Sequence, residues 1–293
     1  MLKSKTLLFQ MIVLVAWILS GCAETSDVEN HRNVSIVFEA QANGLPINCD
    51  TELTGLGTVG TSAALKDFRF YIHDLVLIKD TGEEIPLVLD SNIWQTGNVA
   101  LVDFQDKSDG CAGSVKPTHT EVTGTIPDDD AIYNAVKFKL GVPTELNHNN
   151  PVTSPSPLNI PSLQWSWQAG YKFMRLDVAP VGGVTRVGDP EYLGNAWNVH
   201  LGSTNCTGAP VTCERNNRPT ITLSEYDIET SSVVFDYGVL VEGNILSQDN
   251  GGHPGCASAS MDPECSALFQ KLGLDIDTGD TNASITQTVF SLK

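Results

Sequence analysis
The first 22 residues decide the compartment in which this chain folds, and the compartment decides what its cysteines do. Lys3 and Lys5 precede an apolar run over residues 7–19 that only Gln10 interrupts, and the chain then reads Leu19-Ser20-Gly21-Cys22. A positive start, an apolar middle and small residues at a cut define a secretory signal. The run falls short of the roughly 20 residues that cross a bilayer comfortably. Residues 1–21 are therefore read as a signal peptide. Cys49, Cys111, Cys206, Cys213, Cys256 and Cys265 remain beyond Cys22. An even set in an oxidising compartment predicts disulfides, with several pairings open on arithmetic alone. The short spacings Cys206/Cys213 and Cys256/Cys265 suggest two local loops, leaving Cys49 with Cys111. The spacings match no C-x2-C zinc pattern.

Losing Lys3 and Lys5 takes the formal net charge from −18 to −20. Phosphate backbones need Lys and Arg, so nucleic acid is excluded as a partner. Charged residues make up only 18% of the chain, while Thr, Ser, Asn and Gly are plentiful, which favours strands and turns over exposed helices.

Short strands are expected at residues 34–40, 64–78, 85–89, 99–104, 121–126, 135–140, 171–178, 197–201, 220–223 and 284–292. Residues 231–241 read as a strand or a strand plus turn. The clearest is 64–78, where Leu65, Phe68, Phe70 and Ile72 lie on an apolar side and Arg69, Tyr71 and His73 point the other way, the mark of a half-buried strand. Thr81-Gly82 predicts a turn returning residues 85–89 as a hairpin. Residues 143–163 carry five prolines and read as a long functional or disordered loop. Residues 256–272 hold one short helix, started at Asp262-Pro263 and ended at Gly273. The pattern predicts an all-β fold: an antiparallel β-sandwich with long loops, a short helix near the C-terminus and disulfide bracing.

His73, His148, His200 and His253 are the side chains that attract attention. Neutral imidazole is the commonest nitrogen ligand for copper and zinc. Two histidines from strands and one from a loop could converge on one side of a sandwich. Trp165 and Trp167 lie two apart, so in a strand both face the same way. G-x-S-x-G and H-E-x-x-H are absent. Asp128-Asp129-Asp130 and the stretch from Asp275 to Asn282 carry oxygen ligands but read as solvated turns, the second lacking the bidentate Glu of a calcium loop.

Leu19-Ser20-Gly21-Cys22 resembles the lipobox of bacterial lipoproteins, which implies acylation of Cys22 and a lipidated tether over residues 22–32. Ala23 in place of Asp favours the outer membrane, facing the periplasm or the surface. A wider resemblance rests on an ordered set of segments: Phe68-Arg-Phe-Tyr-Ile-His73-Asp74, Gly141-Val-Pro143 with Asn147-His148, Trp165-Ser-Trp167-Gln-Ala-Gly-Tyr171-Lys-Phe173, His200-Leu-Gly-Ser-Thr-Asn-Cys206, and Pro254-Gly-Cys256 with Asp262-Pro-Glu-Cys265. Together they resemble the MbnP-like family, the four-cysteine member of the metallo-mystery pair, over residues 33–293. The resemblance implies a periplasmic copper-binding protein. It also implies a partner, a di-haem c-type cytochrome of the MauG and cytochrome-peroxidase type, that oxidises a tryptophan near the copper to kynurenine. Carried over, Cys206, Cys213, Cys256 and Cys265 are the four motif cysteines, expected as disulfides. Trp165 or Trp167 is the modified residue, and His73, His148 and His200 are the ligands, with His253 in reserve. The chain would be a metal carrier and the substrate of an oxidation, not an enzyme. The competing readings are a structural or adhesive lipoprotein without metal, and a copper enzyme with an open coordination position.

Overall fold
The computed structural model describes residues 30–293, so residues 1–21, read above as a signal peptide, and Cys22 lie outside the described residues. Two sheets make the body. One runs Phe290–Leu292, Ser232–Asp236, His31–Ala42, Glu121–Pro127, Val88–Leu89 in spatial order. The other runs Thr220–Ser224, Tyr133–Leu140, Thr61–Lys79, Met174–Pro180, Trp197–Leu201, Gly255–Cys256. Pairing is antiparallel through most of both sheets. It is parallel where Ser232–Asp236 meets His31–Ala42 and where Gly255–Cys256 meets Trp197–Leu201.

Phenylalanines from the inner faces interlock between the sheets. Phe235 and Phe38 of the first sheet lie 4.7 Å from Phe68 and 6.0 Å from Phe70 of the second, centroid to centroid, and Phe290 lies 5.5 Å from Phe138. Each such pair contributes about 0.5–1.5 kcal/mol beyond its buried area.

The Thr61–Lys79 strand corrects the half-buried expectation. Its apolar side faces the core as read, although Leu65 and Phe68 are an odd number of residues apart. The pairing jumps from Asp177–Asp67 to Val178–Leu65, so Lys66 is bulged out and the two side chains share one face. The other side is buried as well: Arg69, Tyr71 and His73 are 5%, 0% and 4% exposed. The cover is the long proline-rich loop. Tyr71 donates its hydroxyl to the Pro157 carbonyl (2.9 Å), Tyr171 donates to the Leu158 carbonyl (2.6 Å), and the two rings meet edge to face. The loop of residues 143–163 is thus a packed lid on the outer face of the sheet.

The expected hairpin forms and then divides. Glu84–Pro86 returns beside Val76, Leu77 and Ile78, whereas Val88–Leu89 crosses to pair with Glu121–Pro127 in the other sheet. Gly124 is required there, because a Cβ at that position would strike the Val88 carbonyl. Residues 231–241 resolve into the Ser232–Asp236 strand and the Tyr237–Val241 helix, capped by Asp236 Oδ1 accepting from the Val239 amide. The C-terminal helix spans Cys265–Lys271 and ends at Gly273, whose φ of +75° suits glycine. The Thr204–Thr207 and Thr212–Arg215 hairpin had no apolar alternation to announce it.

The three disulfides join Cys49 to Cys111, Cys206 to Cys213 and Cys256 to Cys265. Asp275 Oδ1 accepts from the Asp277 and Thr278 amides, so that acidic stretch closes its own turn.

Candidate metal centre
His200 sits on the Trp197–Leu201 strand, whose register places it opposite Arg175. Its Nε2–H donates to Asp177 Oδ1 at 2.7 Å. Asp177 is held in turn by Arg175, which also reaches Asp67, the partner of Arg69. This ladder of alternating charge follows from the register, because Arg175 faces Arg69 and Asp177 faces Asp67 across the strands. Burial pushes the His200 imidazole below its ordinary pKa against the pull of Asp177, with Lys172 and His253 adding to the depression. Burial pushes the Asp177 carboxyl up, but the His200 hydrogen bond and the charge of Arg175 outweigh it, and the group titrates below the usual carboxylate range. The outcome at neutral pH is a neutral imidazole held by a carboxylate. That arrangement fixes the tautomer and leaves Nδ1 as the nitrogen that could take a metal.

The ring of His253 lies 5.5 Å from that of His200, centroid to centroid. Its Nδ1 is 3.3 Å from the Pro254 carbonyl, which leaves Nε2 as its second nitrogen. The loop bearing His253 is tied down on its C-terminal side. Gly255 and Cys256 pair in parallel with Asn198 and Val199, and Cys256 is bridged to Cys265. Gly255 has a φ of +89° and lies against the Asn198 backbone too closely to admit a side chain.

Trp165 packs on Gly202, two residues beyond His200. A Cβ on Gly202 would lie 2.5 Å from Trp165 Cζ3. The indole lines a cleft of about 510 Å³ with Ser203, Cys206, Arg215, Ala257 and Met261. Trp167 lies beyond the Gln164–Ser166 strand and is 54% exposed. The two indoles therefore differ in setting, contrary to the expectation of one shared face.

The structure does not bring His73, His148 and His200 to one point. His73 is four residues along its strand from Arg69, which is two strands from His200, a separation of about 16 Å. It lines a separate polar pocket of about 320 Å³ with Asp74, Lys139, Glu145 and Arg218. Burial, Arg218 and Lys139 hold its pKa down, against Asp74 Oδ2 at 3.2 Å from Nδ1. His148 lies elsewhere again. Its Nδ1 is 3.0 Å from the Trp167 carbonyl, and its Nε2 is 3.1 Å from Asn147 Nδ2 and 3.3 Å from Cys213 Sγ. Among the described residues, His148, Cys206 and Cys213 are the one set of three candidate ligands whose atoms lie within 4.8 Å of one another. Both sulfurs of that set are spent in a disulfide. Sequence reasoning missed Asp177. Its trace was the alternation Arg175-x-Asp177, which places two charges on one side of an otherwise apolar strand.

The fold is thus a disulfide-braced β-sandwich that sets a carboxylate-held histidine beside a second histidine, with a tryptophan lining a nearby cleft. The chain matches the MbnP family over residues 31–258 and belongs to it. The solved structure of MbnP from Methylosinus trichosporium superimposes with a TM-score of 0.81 at 30% identity, covering 90% of this chain and 98% of that one. No curated protein matches.

Proposed function
We propose that this MbnP-family protein binds copper through His200 and His253 beside Trp165, and that it serves as a carrier and not as a catalyst. The observation that supports this reading is the pairing of the two rings at 5.5 Å, with His200 oriented by Asp177. Two imidazoles bound to one ion through metal–nitrogen bonds of about 2.0–2.1 Å bring their ring centres to about 5–6 Å. Imidazole suits copper in either common oxidation state. On this reading His73 and His148 are not ligands of that ion.

The family resemblance adds the partner, a di-haem c-type cytochrome that oxidises a tryptophan of this chain to kynurenine. Trp165 is the proposed position, because its ring lies in the cleft against Gly202 while Trp167 is turned to solvent. Cys22 is the proposed lipid anchor, holding the protein at the cell envelope, in the outer membrane by the residue that follows it.

Copper per mature chain tests the site. His200→Ala combined with His253→Ala should abolish uptake, and His73→Ala should leave it intact. Unchanged copper in the double variant refutes the assignment. Intact mass of protein from its native host tests the modification: the peptide carrying Trp165 should gain one oxygen and lose one carbon.

A further inference from the structure
We propose that the Cys206–Cys213 disulfide masks a second metal site. Once a dithiol opens the bridge, Cys206, Cys213 and His148 hold one soft metal ion. Three independent features point there. The first is the gathering itself, since the ligand atoms of these three residues already lie within 4.8 Å of one another. The second is the direction of the imidazole. Its Nδ1–H donates to the Trp167 carbonyl at 3.0 Å, which fixes the ring and turns Nε2 to Cys213 Sγ at 3.3 Å. In a tetrahedral site with metal–sulfur bonds of about 2.3 Å and metal–nitrogen bonds of about 2.0–2.1 Å, that nitrogen and sulfur stand about 3.5 Å apart. The third is access. Cys206 and Cys213 are half-buried, whereas Cys49, Cys111, Cys256 and Cys265 are 5% exposed or less. Thiol–disulfide exchange needs the attacking thiolate to reach a sulfur, so the hairpin bridge opens first.

The balance is that of an ordinary exchange. Two thiols of the reductant lose two electrons and form its disulfide, the Cys206–Cys213 bond breaks, and two protons pass to the cysteine sulfurs. Those protons leave when the thiolates bind the ion. The hairpin does not depend on the bridge for its register, because Thr204–Arg215 and Thr207–Thr212 pair on either side of it, and Gln168 Nε2 grips the Cys206 carbonyl at 2.9 Å. One contact must give way: Asn147 Nδ2, 3.1 Å from His148 Nε2. Asn147 keeps its seat through Oδ1, which accepts from the Tyr171 amide. Two thiolates and one imidazole select copper(I) or zinc over hard cations. The site is separate from His200 and His253, and does not rest on them.

The test uses the mature, folded protein. Limiting dithiothreitol is added under argon and removed by gel filtration, alkylation with mass spectrometry maps the opened cysteines, and cobalt(II) is added as the probe. Cys206 and Cys213 should be the first pair alkylated. The reduced protein should bind one cobalt with thiolate-to-metal absorption, and His148→Ala should weaken it by about tenfold or more. The His200→Ala and His253→Ala variant should give the same absorption, which separates this site from the copper reading above. Cys206→Ser needs no reductant, and its Cys213 thiol should give a weaker band that Cys206→Ser with His148→Ala lacks. Opening of another bridge first, no thiolate absorption, or equal affinity without His148 each overturns the proposal.

Discussion

Asp177→Asn is the change that most directly questions the proposed copper site. The substitution keeps the size of the side chain and an oxygen for His200 Nε2–H, now 2.7 Å from Asp177 Oδ1, but removes the charge. A carboxylate behind a metal-bound imidazole fixes its tautomer and raises its basicity, and such groups are worth about 10–100-fold in metal affinity. That range corresponds to about 1.4–2.7 kcal/mol. The sign of the pH effect follows from the groups facing His200. Burial, Lys172 and His253 lower its pKa and Asp177 raises it. With the amide only the lowering influences remain, so protons compete with copper at lower pH than in the native protein even as affinity at neutral pH falls. Titration with a chromogenic copper(I) chelator across a pH series reads both effects, with thermal unfolding recorded beside it. An undiminished affinity, or a competition midpoint that moves up, would falsify the role given to Asp177. A variant that had merely unfolded would lose copper at every pH.

Burial above all holds His73, His119 and His200 below their ordinary value, so in the metal-free protein these three contribute stability that is lost as pH falls below about 6.5, where the unfolded chain binds more protons. Asp262, pushed up to about 7 by burial and Glu264, works the other way as pH falls through 7, so Asp262→Asn should make the urea midpoint fall more steeply on acidification than in the native chain; equal slopes contradict the assignment. Phe70→Ala should cost about 3–5 kcal/mol in urea unfolding, since the ring is fully buried against Phe38, Phe104, Phe235 and Phe290, and a loss under about 1 kcal/mol argues against the aromatic core. Replacing Cys256 and Cys265 by serine should cost about 2–4 kcal/mol and weaken copper binding through the freed His253 loop; native affinity in that variant means that the bridge does not position the histidine.

Local sequence was enough for the elements that obey a short-range rule. The alternation around Phe68, Phe70 and Ile72 identified the central strand, Gly273 marked the end of the C-terminal helix, and the spacings of Cys206/Cys213 and Cys256/Cys265 gave the local bridges. A period of two tells which side of a strand a residue takes, and nothing about which strand lies next to it or at what register. His73 and His200 both stood on outward-facing sides, yet four residues of rise and two strand spacings separate them. His200 and His253 meet because a parallel pairing seats Gly255 and Cys256 against Asn198 and Val199, an arrangement set by the folded sheet edge and invisible in either segment. Cys213 reaches His148 across 65 positions, from a hairpin and a loop that only the folded chain brings together. Composition, periodicity and cysteine spacing thus determined a disulfide-braced β-sandwich, since those are read from patterns within a few residues. Which side chains share a site was decided only by the tertiary structure, because neighbours across strands are chosen by the packing of the whole core.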